Sequence, residues 1–464
     1  MLSRSRAGSA PLLHSSFVCI RCLRRARTNG TVIEPARFTN ASAVPLPTTT
    51  SPSPHRTRRF ATASFPSLTK QTVSSGITRL PHRRLVALSG PDAPKFLQGL
   101  TTNNVSPAQR AGWYTAFLNA QGRVLYDAFV YPTPLANAAA ITTTEDNWAC
   151  FIEVDADSVE GLFRVLKRHK LRSKVRIRVV DEGEWAVWSA WFTPWAAEDA
   201  TVAATLEKVG GSFVHLADER APTFGHRILV PSSSSSSSGA GLPPPFANLD
   251  RATPRDYAIR RYLHGVPEGP REIRPEEALP LESNVDLMRG VDFRKGCYVG
   301  QELTIRTKHT GVVRKRILPV SLYDLEASEP GEMTYIEGAS PIRAEDVPAG
   351  GADIKKVADG EGEAEGAAGR RKSAGRSAGK WLAGVGNIGL ALCRLEMMTD
   401  VKVTTEGMGA AGSYKPGMRF GLKWTVGADR GDRSLGIKAF VPEWHRLRTE
   451  EEARRKKKAV QTEE

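Results

Sequence analysis

One thiol stands in a setting that packing alone does not explain. Residues 294–302 read RKGCYVGQE, so Cys297 lies between a glycine and a tyrosine and behind two cations. Good helix formers follow, and they predict a helix that begins at Gln301 and ends at Gly311. Cys297 then lies just before the N-terminus of a helix, where partial positive charge favours a thiolate. The segment is therefore a candidate for nucleophilic or metal-ligand chemistry.

The residues around Cys297 indicate how such a sulfur would be used. Gly296 leaves room for a ligand or a partner protein to approach the sulfur, and Tyr298 offers an aromatic face for stacking. Charged and amide side chains close by could favour the thiolate or orient a bound group: they are Arg294, Lys295, Gln301 and Glu302. The segment thus supplies a reactive group, space beside it and polar support.

Two other interpretations of the thiol stay open at this point. A lone cysteine is commonly a buried packing residue, here at a junction between a strand and a helix. A nucleophilic cysteine enzyme would need a base, for which His264 and His309 are the nearby candidates. No short motif ties either imidazole to the sulfur.

The positive charge of the chain is concentrated near its ends. The formal net charge is +15 over 464 residues, and residues 1–60 contain ten arginines and one acidic residue. A second basic run, Arg454–Lys458, lies in a tail that we expect to be unfolded. Nucleic-acid binding by the folded part is therefore weakly supported. A membrane-spanning helix is not predicted either, because no run of about 18 apolar residues occurs.

Residues 1–60 are predicted to be a mitochondrial transit peptide. They are rich in arginine, serine and threonine and nearly free of acidic residues. The stretch RRFATAS, Arg58–Ser64, resembles a cleavage site of the matrix protease, and cleavage after Phe60 would leave a chain that starts at Ala61. The alternative is a disordered basic leader without an address. The sequence therefore predicts a protein of the mitochondrial matrix.

The cysteines argue against both a disulfide framework and a self-contained cluster site. Cys19 and Cys22 form a CxxC pair inside the predicted leader, with no second pair to complete a zinc site. Cys150, Cys297 and Cys393 remain, and three thiols fall short of the four that ordinarily hold an iron–sulfur cluster.

Hydrophobic periodicity predicts a mixed N-terminal domain over residues 74–245. Residues 89–100 and 159–166 place apolar side chains at helical spacing. Residues 113–131 alternate on both sides of the turn NAQG, which predicts a β-hairpin. Residues 174–180, KVRIRVV, predict a strand with one wet, basic face.

A central segment, residues 250–316, begins with a helix whose ends are marked by residue type. Thr253 is expected at the N-cap, Pro254 at the first helical position, Asp256 at the capping-box position and Gly265 just past the end. The segment ends beyond the thiol motif.

Residues 317–445 are predicted to form a C-terminal β-rich domain. Strand patterns occur in residues 380–396 and 435–441. Since helix and strand patterns mix along the chain without regular βα repeats, the predicted fold class is α+β. Two low-complexity stretches, the serine run 232–238 and an insertion at 346–380, are expected to be mobile, and the charged tail 446–464 is expected to be unfolded.

Several segments together resemble the YgfZ/GcvT-like folate-binding superfamily, and specifically its mitochondrial iron–sulfur cluster assembly branch. The most specific is KGCYVGQE, Lys295–Glu302, which matches the K-G-C-Y-x-G-Q-E signature of the YgfZ side. Further matching segments are Phe96–Asn103, Phe117–Asp127, Arg260–Gly269, Leu279–Asp286, Gly311–Arg316 and Gly386–Leu392.

The resemblance implies a fold and a role. The fold would be intertwined α+β domains around a central folate-sized cavity, with a small C-terminal β-barrel. The role would be late maturation of [4Fe–4S] proteins together with A-type scaffold proteins, with aconitase-type enzymes and lipoate synthase as clients. Cys297 would contact or ligate a transient cluster shared with a partner, and Lys295, Tyr298, Gln301 and Glu302 would support it.

The resemblance also implies that tetrahydrofolate could bind. The candidate contacts by position are Asn119, Arg123, Asp127 and Glu282, for each of which the alternative is a turn residue or a surface ion pair. Aminomethyltransferases tend to have a pair of aspartates where this chain has Tyr126 and Asp127. Since one acid of that pair is missing and a thiol segment is present, the residues count against folate-linked aminomethyl transfer, and a tetrahydrofolate-dependent aminomethyl or one-carbon transferase is the alternative to the leading function.

Overall fold

The computed structural model describes residues 75–109, 111–136, 148–192, 213–232, 242–243, 246–338, 343–357, 377–403, 414–425 and 432–463. The chain from Pro66 onward forms one compact unit. The predicted transit peptide and the serine run beyond Ser232 lie outside the described residues.

The first sheet has five antiparallel strands in the order β3-β4-β5-β2-β6. Its strands are β2 (Arg83–Ser89), β3 (Trp113–Leu118), β4 (Val124–Pro132), β5 (Ala149–Asp155) and β6 (Arg176–Val179). Helices α1 (Ala93–Gln98) and α2 (Val159–Lys170) cover one face and share a core with it. The predicted hairpin, helices and strand in this region are confirmed.

A second antiparallel sheet, in the order β1-β7-β9-β8, packs against the other face of the first. Its strands are β1 (Gly76–Arg79), β7 (Trp185–Trp191), β8 (Val214–Ala217) and β9 (His226–Pro231). Tyr131, Val187 and Trp191 belong to the apolar core between the two sheets, and each is at most 2% exposed. The period-2 alternation of strands places these side chains inward.

The helix predicted at the start of the central segment is confirmed with its end residues. Helix α3 spans Pro254–His264. The hydroxyl of Thr253 accepts the N–H of Asp256, and the Asp256 carboxylate accepts the N–H of Thr253. Gly265 ends the helix at a φ of 70°, a conformation that favours glycine. Helix α4, Gln301–Thr310, follows the thiol segment.

The C-terminal region closes into a six-stranded barrel in the order β10-β13-β12-β11-β14-β15. Its strands are β10 (Lys315–Tyr323), β11 (Asp353–Lys356), β12 (Gly379–Val385), β13 (Ile388–Arg394), β14 (Phe420–Thr425) and β15 (Asp432–Ala439). A short helix, α5 (Leu395–Met398), follows β13. The predicted α+β class and the small C-terminal barrel are confirmed.

The predictions that residues 346–380 are mobile and that the charged tail is unfolded are wrong in part. Strand β11 lies inside the stretch 346–380 because Ile354 is fully buried in the barrel core and pairs with Leu422; residues 358–376 lie outside the described part. The charged tail is helix α6, Glu443–Glu463. Its start is fixed because Trp444 Nε1 donates to the carbonyl of His264 at 2.9 Å.

No helix of the described part combines the length and the apolar composition that spanning a bilayer requires.

Candidate functional site

Cys297 is exposed and lies four residues before the start of α4, as predicted. Apart from its two chain neighbours, no described residue has a heavy atom within 4 Å of a Cβ placed on Gly296, so the backbone next to the thiol has space beside it in the described part. Cys150 and Cys393 are buried instead, and burial raises the pKa of both thiols. The interpretation of Cys297 as a buried packing residue is therefore wrong.

Lys295 anchors the thiol segment to the loop that follows α1. Its Nζ donates to the carbonyls of Thr101 at 2.6 Å and Asn103 at 2.7 Å, and lies 4.9 Å from the ring centroid of Tyr298. Burial lowers the pKa of Lys295 to about 7. The ammonium group predicted to lie beside the sulfur is thus engaged by backbone carbonyls of another segment.

Tyr298 is only 6% exposed and belongs to the core between the two sheets. Since one side of its ring faces the ammonium of Lys295, the prediction that it offers an open stacking face is wrong. Burial raises the pKa of its hydroxyl. Tyr298 therefore anchors the thiol loop by packing its ring into the core.

Gln301 and Glu302 have different surroundings. Gln301 Oε1 accepts the backbone N–H of Tyr298 at 3.3 Å, which closes the loop onto the first turn of α4. Glu302 is exposed in that first turn. Arg294 is also exposed, with 94% of its side chain accessible. Glu302 and Arg294 are thus the charged side chains of the motif that a partner could reach.

Of the two histidines considered as bases, His264 contacts a backbone carbonyl and His309 lies at the far end of α4 from the thiol. His264 Nδ1 lies 2.9 Å from the carbonyl of Arg260, and burial lowers the pKa of His264 to about 3. His309 lies in the last turn of α4, at the end opposite to the thiol segment. Neither position favours a cysteine–histidine pair.

The hairpin turn between β3 and β4 packs directly on the start of α4. A Cβ at Gly300 would come 2.2 Å from the carbonyl oxygen of Asn119, and one at Gly122 would come 2.8 Å from the carbonyl oxygen of Gly300. Both glycines have positive φ, 75° and 80°. Only residues without a side chain fit this contact.

Three of the four predicted folate contacts have side chains that bond to other groups of the protein. Asn119 Oδ1 accepts the N–H groups of Gln121 and Arg123, so Asn119 acts as the turn residue. The Arg123 guanidinium donates to the carbonyl of Glu277. Glu282 forms an ion pair with Lys315 at 3.2 Å. The turn and ion-pair alternatives describe these three.

Asp127 belongs to a different setting, a buried polar region between the two sheets. Its Oδ1 accepts the N–H of Gly269 at 3.0 Å, while its Oδ2 lies 3.8 Å from Arg83 Nη1. Burial raises the pKa of Asp127, partly offset by Arg83. A neutral carboxyl group is thus favoured relative to an exposed aspartate.

Around Asp127 lies a set of buried charges that we call the central charge cluster. Its other members are Arg83, Arg220, Arg227, Arg261, Glu153, Asp218, Glu268 and Glu272. Glu153 accepts from Arg83 at 2.7 Å and from Arg227 at 2.6 Å. Although burial alone would raise the pKa of Glu268, Arg227 and further guanidinium groups hold it well below its ordinary value. Such pairing is what allows charges to be buried.

Three polar atoms at the Asp127 end of this cluster are buried and have no hydrogen-bond partner among the described residues. They are Tyr114 Oη, Asp127 Oδ2 and Arg83 Nη1. Because buried polar groups are normally satisfied, these atoms mark unused hydrogen-bonding capacity inside the fold.

Asp127 is the member of the cluster that the sequence motifs indicate as a ligand contact, and they assign no such role to the other members. One signal was available: Glu153 occupies an inward position in the apolar strand ACFIEVD, on the same face as Ala149 and Phe151. Its partner Arg227 lies 74 residues away, so the pairing itself has no local signature.

Comparisons with known proteins agree with this geometry. A family model described as "CAF17, C-terminal beta-barrel domain" matches residues 314–413, which begin at the barrel's first strand. A solved structure, the glycine cleavage system aminomethyltransferase T from Bartonella henselae, aligns with a TM-score of 0.51 over 80% of this chain and 87% of that one. At 12% identity this likeness shows the fold alone.

Curated relatives share most of their length with the chain. A protein of Aspergillus fumigatus named "Iron-sulfur cluster assembly factor IBA57 homolog, mitochondrial" is 42% identical over 461 residues, which covers 93% of this chain and 90% of the relative. Proteins of the same name from Pyricularia oryzae and Neurospora crassa are 45% and 41% identical and cover 80% and 81% of this chain. The matched regions make up 85% of the Pyricularia oryzae protein and 82% of the Neurospora crassa protein.

Proposed function

The chain belongs to the family of mitochondrial iron–sulfur cluster assembly factors, and from this premise we propose that Cys297 is the residue through which it handles the cluster. The observation that carries the proposal is the exposed thiol on a loop fixed at several points, immediately before α4. A thiolate is the usual protein ligand of iron in such clusters.

The cluster is the cargo, and it would be held jointly with another protein. A [4Fe–4S] cluster ordinarily takes four cysteine ligands, whereas Cys297 is the one exposed thiol among the described residues. The missing ligands would come from an A-type scaffold protein in the mitochondrial matrix. The recipients would be [4Fe–4S] proteins, with aconitase-type enzymes and lipoate synthase as the proposed clients.

The surrounding residues would present the sulfur in one orientation. Lys295 ties the loop to the carbonyls of Thr101 and Asn103, and Gln301 closes it onto α4. A loop that is ordered before binding loses less conformational entropy when a partner docks. The open space at Gly296 would admit the partner's cluster.

The proposal is tested by mixing the purified protein with an A-type scaffold under anaerobic conditions. Absorption and circular dichroism would report the shared cluster, and activation of an apo-aconitase would report transfer. Cys297→Ala is expected to abolish both signals without changing thermal stability, because the side chain is exposed. A wild-type cluster yield and wild-type client activation by Cys297→Ala would contradict shared ligation.

Tetrahydrofolate is a second proposed ligand, and part of the site fits it. The unpartnered atoms of Tyr114, Asp127 and Arg83 supply donors and acceptors of the kind that a pterin ring needs. Asn119, Arg123 and Glu282 do not fit, since their side chains are engaged elsewhere. When bound, the folate would supply a one-carbon carrier, and these side chains would bind and orient its ring. Calorimetry with a stable reduced folate, comparing wild type with Asp127→Asn, tests this.

The burial of Asp127 also supports a second candidate function, a tetrahydrofolate-dependent aminomethyl or one-carbon transferase. Asp127 is 4% exposed and burial raises its pKa, which favours its protonated form more than in an exposed aspartate. Exchange of methylene-tetrahydrofolate that depends on Asp127 and not on Cys297 would favour the transferase. Cluster transfer that depends on Cys297 and not on Asp127 would favour the assembly factor.

A further inference from the structure

A strongly basic edge of the first sheet takes no part in the site described above. Residues 161–180 contain eight arginine and lysine residues and no acidic residue. They run through the end of α2, a short turn and strand β6, which is an edge strand of the sheet. The exposed members, which we call the basic edge, are Arg164, Lys167, Arg168, Arg172, Lys174, Arg176 and Arg178.

Most of this charge is uncompensated. Arg178 pairs with Glu184, and Lys167 lies over the ring of Phe163. By contrast, a further set of exposed side chains makes no ion pair or hydrogen bond with any described residue: they are Arg168, Arg172, Lys174 and Arg176. Cations in the last turn of α2 interact favourably with the helix dipole, but of these four residues only Arg168 lies in that turn.

Leu171 projects from the middle of the basic edge. Its side chain is 87% exposed, the highest value among the large apolar residues of the described part. Its backbone has a φ of 42° and a ψ of −112°, a combination that side-chain-bearing residues seldom adopt. Both the exposure and the strain are unfavourable in water, and a strained residue held in place is a reason to look for function.

We propose that the basic edge docks on an anionic phospholipid bilayer, with Leu171 entering the boundary between headgroups and acyl chains. Clustered arginine and lysine side chains are attracted to anionic headgroups, and an apolar side chain among them adds burial in the interface. The contact is peripheral, made by an edge strand and the turn beside it. It is independent of the cluster chemistry at Cys297.

A nucleic acid could also bind the basic edge, but its binding would not account for the exposed side chain of Leu171. Sequence-tolerant nucleic-acid binding combines a basic groove with aromatic side chains on which bases stack. The aromatic residue of this stretch, Phe163, already has the ammonium of Lys167 over its ring, 4.3 Å from the centroid. The apolar tip therefore favours lipid.

The test is flotation of the full chain with vesicles of phosphatidylcholine, with and without cardiolipin. Leu171→Asp, and separately Arg168→Glu combined with Arg172→Glu, are each expected to weaken binding to the cardiolipin vesicles about tenfold or more. The matched control is Lys355→Glu combined with Lys423→Glu, an equal charge change at two exposed lysines of the barrel. The control is expected to bind like wild type.

A second readout locates the contact, because residues 1–60 are also basic and are present in every variant. Leu171→Trp is expected to be quenched by lipids with brominated acyl chains, whereas Leu447→Trp, at another exposed leucine, is not. The proposal is overturned if Leu171→Trp is not quenched or if Leu171→Asp binds like wild type. Equal weakening by the barrel control, or a basic edge that prefers single-stranded RNA to vesicles, would also overturn it.

Discussion

The backbones of Gly122 and Gly300 are in close contact, so that the turn of the β3–β4 hairpin packs against the first residues of α4. A side chain at Gly122 would come within 2.8 Å of the Gly300 carbonyl oxygen, and one at Gly300 within 2.2 Å of the Asn119 carbonyl oxygen. The position of the Cys297 loop therefore depends on a turn that lies about 180 residues earlier in the chain.

Gly300→Ala is expected to destabilise the protein by about 1–3 kcal/mol, because it combines a strained φ with a backbone clash. Urea denaturation would measure the loss, and cluster sharing should fall with it. Gly296→Ala is the matched control: a Cβ there meets nothing within 4 Å, so stability should change by less than about 0.5 kcal/mol. An equal loss of stability in both variants would contradict a close contact between the β3–β4 turn and the start of α4.

The three cysteines of the described part should react very differently with an alkylating reagent. Cys297 is exposed, whereas Cys150 and Cys393 are 0% exposed and have raised pKa values. Mass spectrometry after brief treatment of the native protein should find Cys297 modified and the other two intact. Modification of Cys150 or Cys393 before Cys297 would show that the burial is not as described.

Lys295 should make stability depend on pH. In the unfolded chain its amine has the ordinary pKa of 10.5, and burial in the folded protein lowers the pKa to about 7. Between these values the unfolded chain binds more protons, so the free energy of unfolding contributed by Lys295 rises with pH from about 7 to 10.5 and is constant below.

Lys295→Met should remove this rise, measured as the difference in urea denaturation between pH 7 and pH 9. Lys355→Met, at an exposed lysine, is the control and should keep the wild-type slope. The anchoring role would be wrong if Lys295→Met left both this slope and the cluster yield unchanged.

Asp127 and Glu153 should respond differently to loss of charge. Asp127→Asn keeps an acceptor for the Gly269 N–H, and since the carboxyl group already has a raised pKa we expect a cost below about 1 kcal/mol. Glu153→Gln leaves the buried guanidinium groups of Arg83 and Arg227 short of a counter-charge, which should cost about 3–5 kcal/mol. Thermal denaturation of the two variants checks the order, and the reverse order would contradict the role of Glu153 as the main counter-charge of Arg83 and Arg227.

Local patterns predicted much of the secondary structure and the position of the thiol. The capping box of Thr253 and Asp256, the terminator Gly265 and the helix that starts at Gln301 all occur where expected. Each depends on residues within one or two turns of one another, so the chain needs no distant partner to specify it. The exposure of Cys297 agrees with the glycine beside it.

Tertiary structure alone decided what each charged side chain does. Lys295 bonds to carbonyls 192 and 194 residues away, and Arg83 pairs with Glu153 across 70 residues. A partner at such a separation leaves no local pattern, and burial, which shifts the pKa of Lys295 and Asp127, exists only once the sheets and helices have packed. Residue type and spacing therefore determined where the thiol stands, while the packing of distant segments decided which groups hold its loop and which charges are buried.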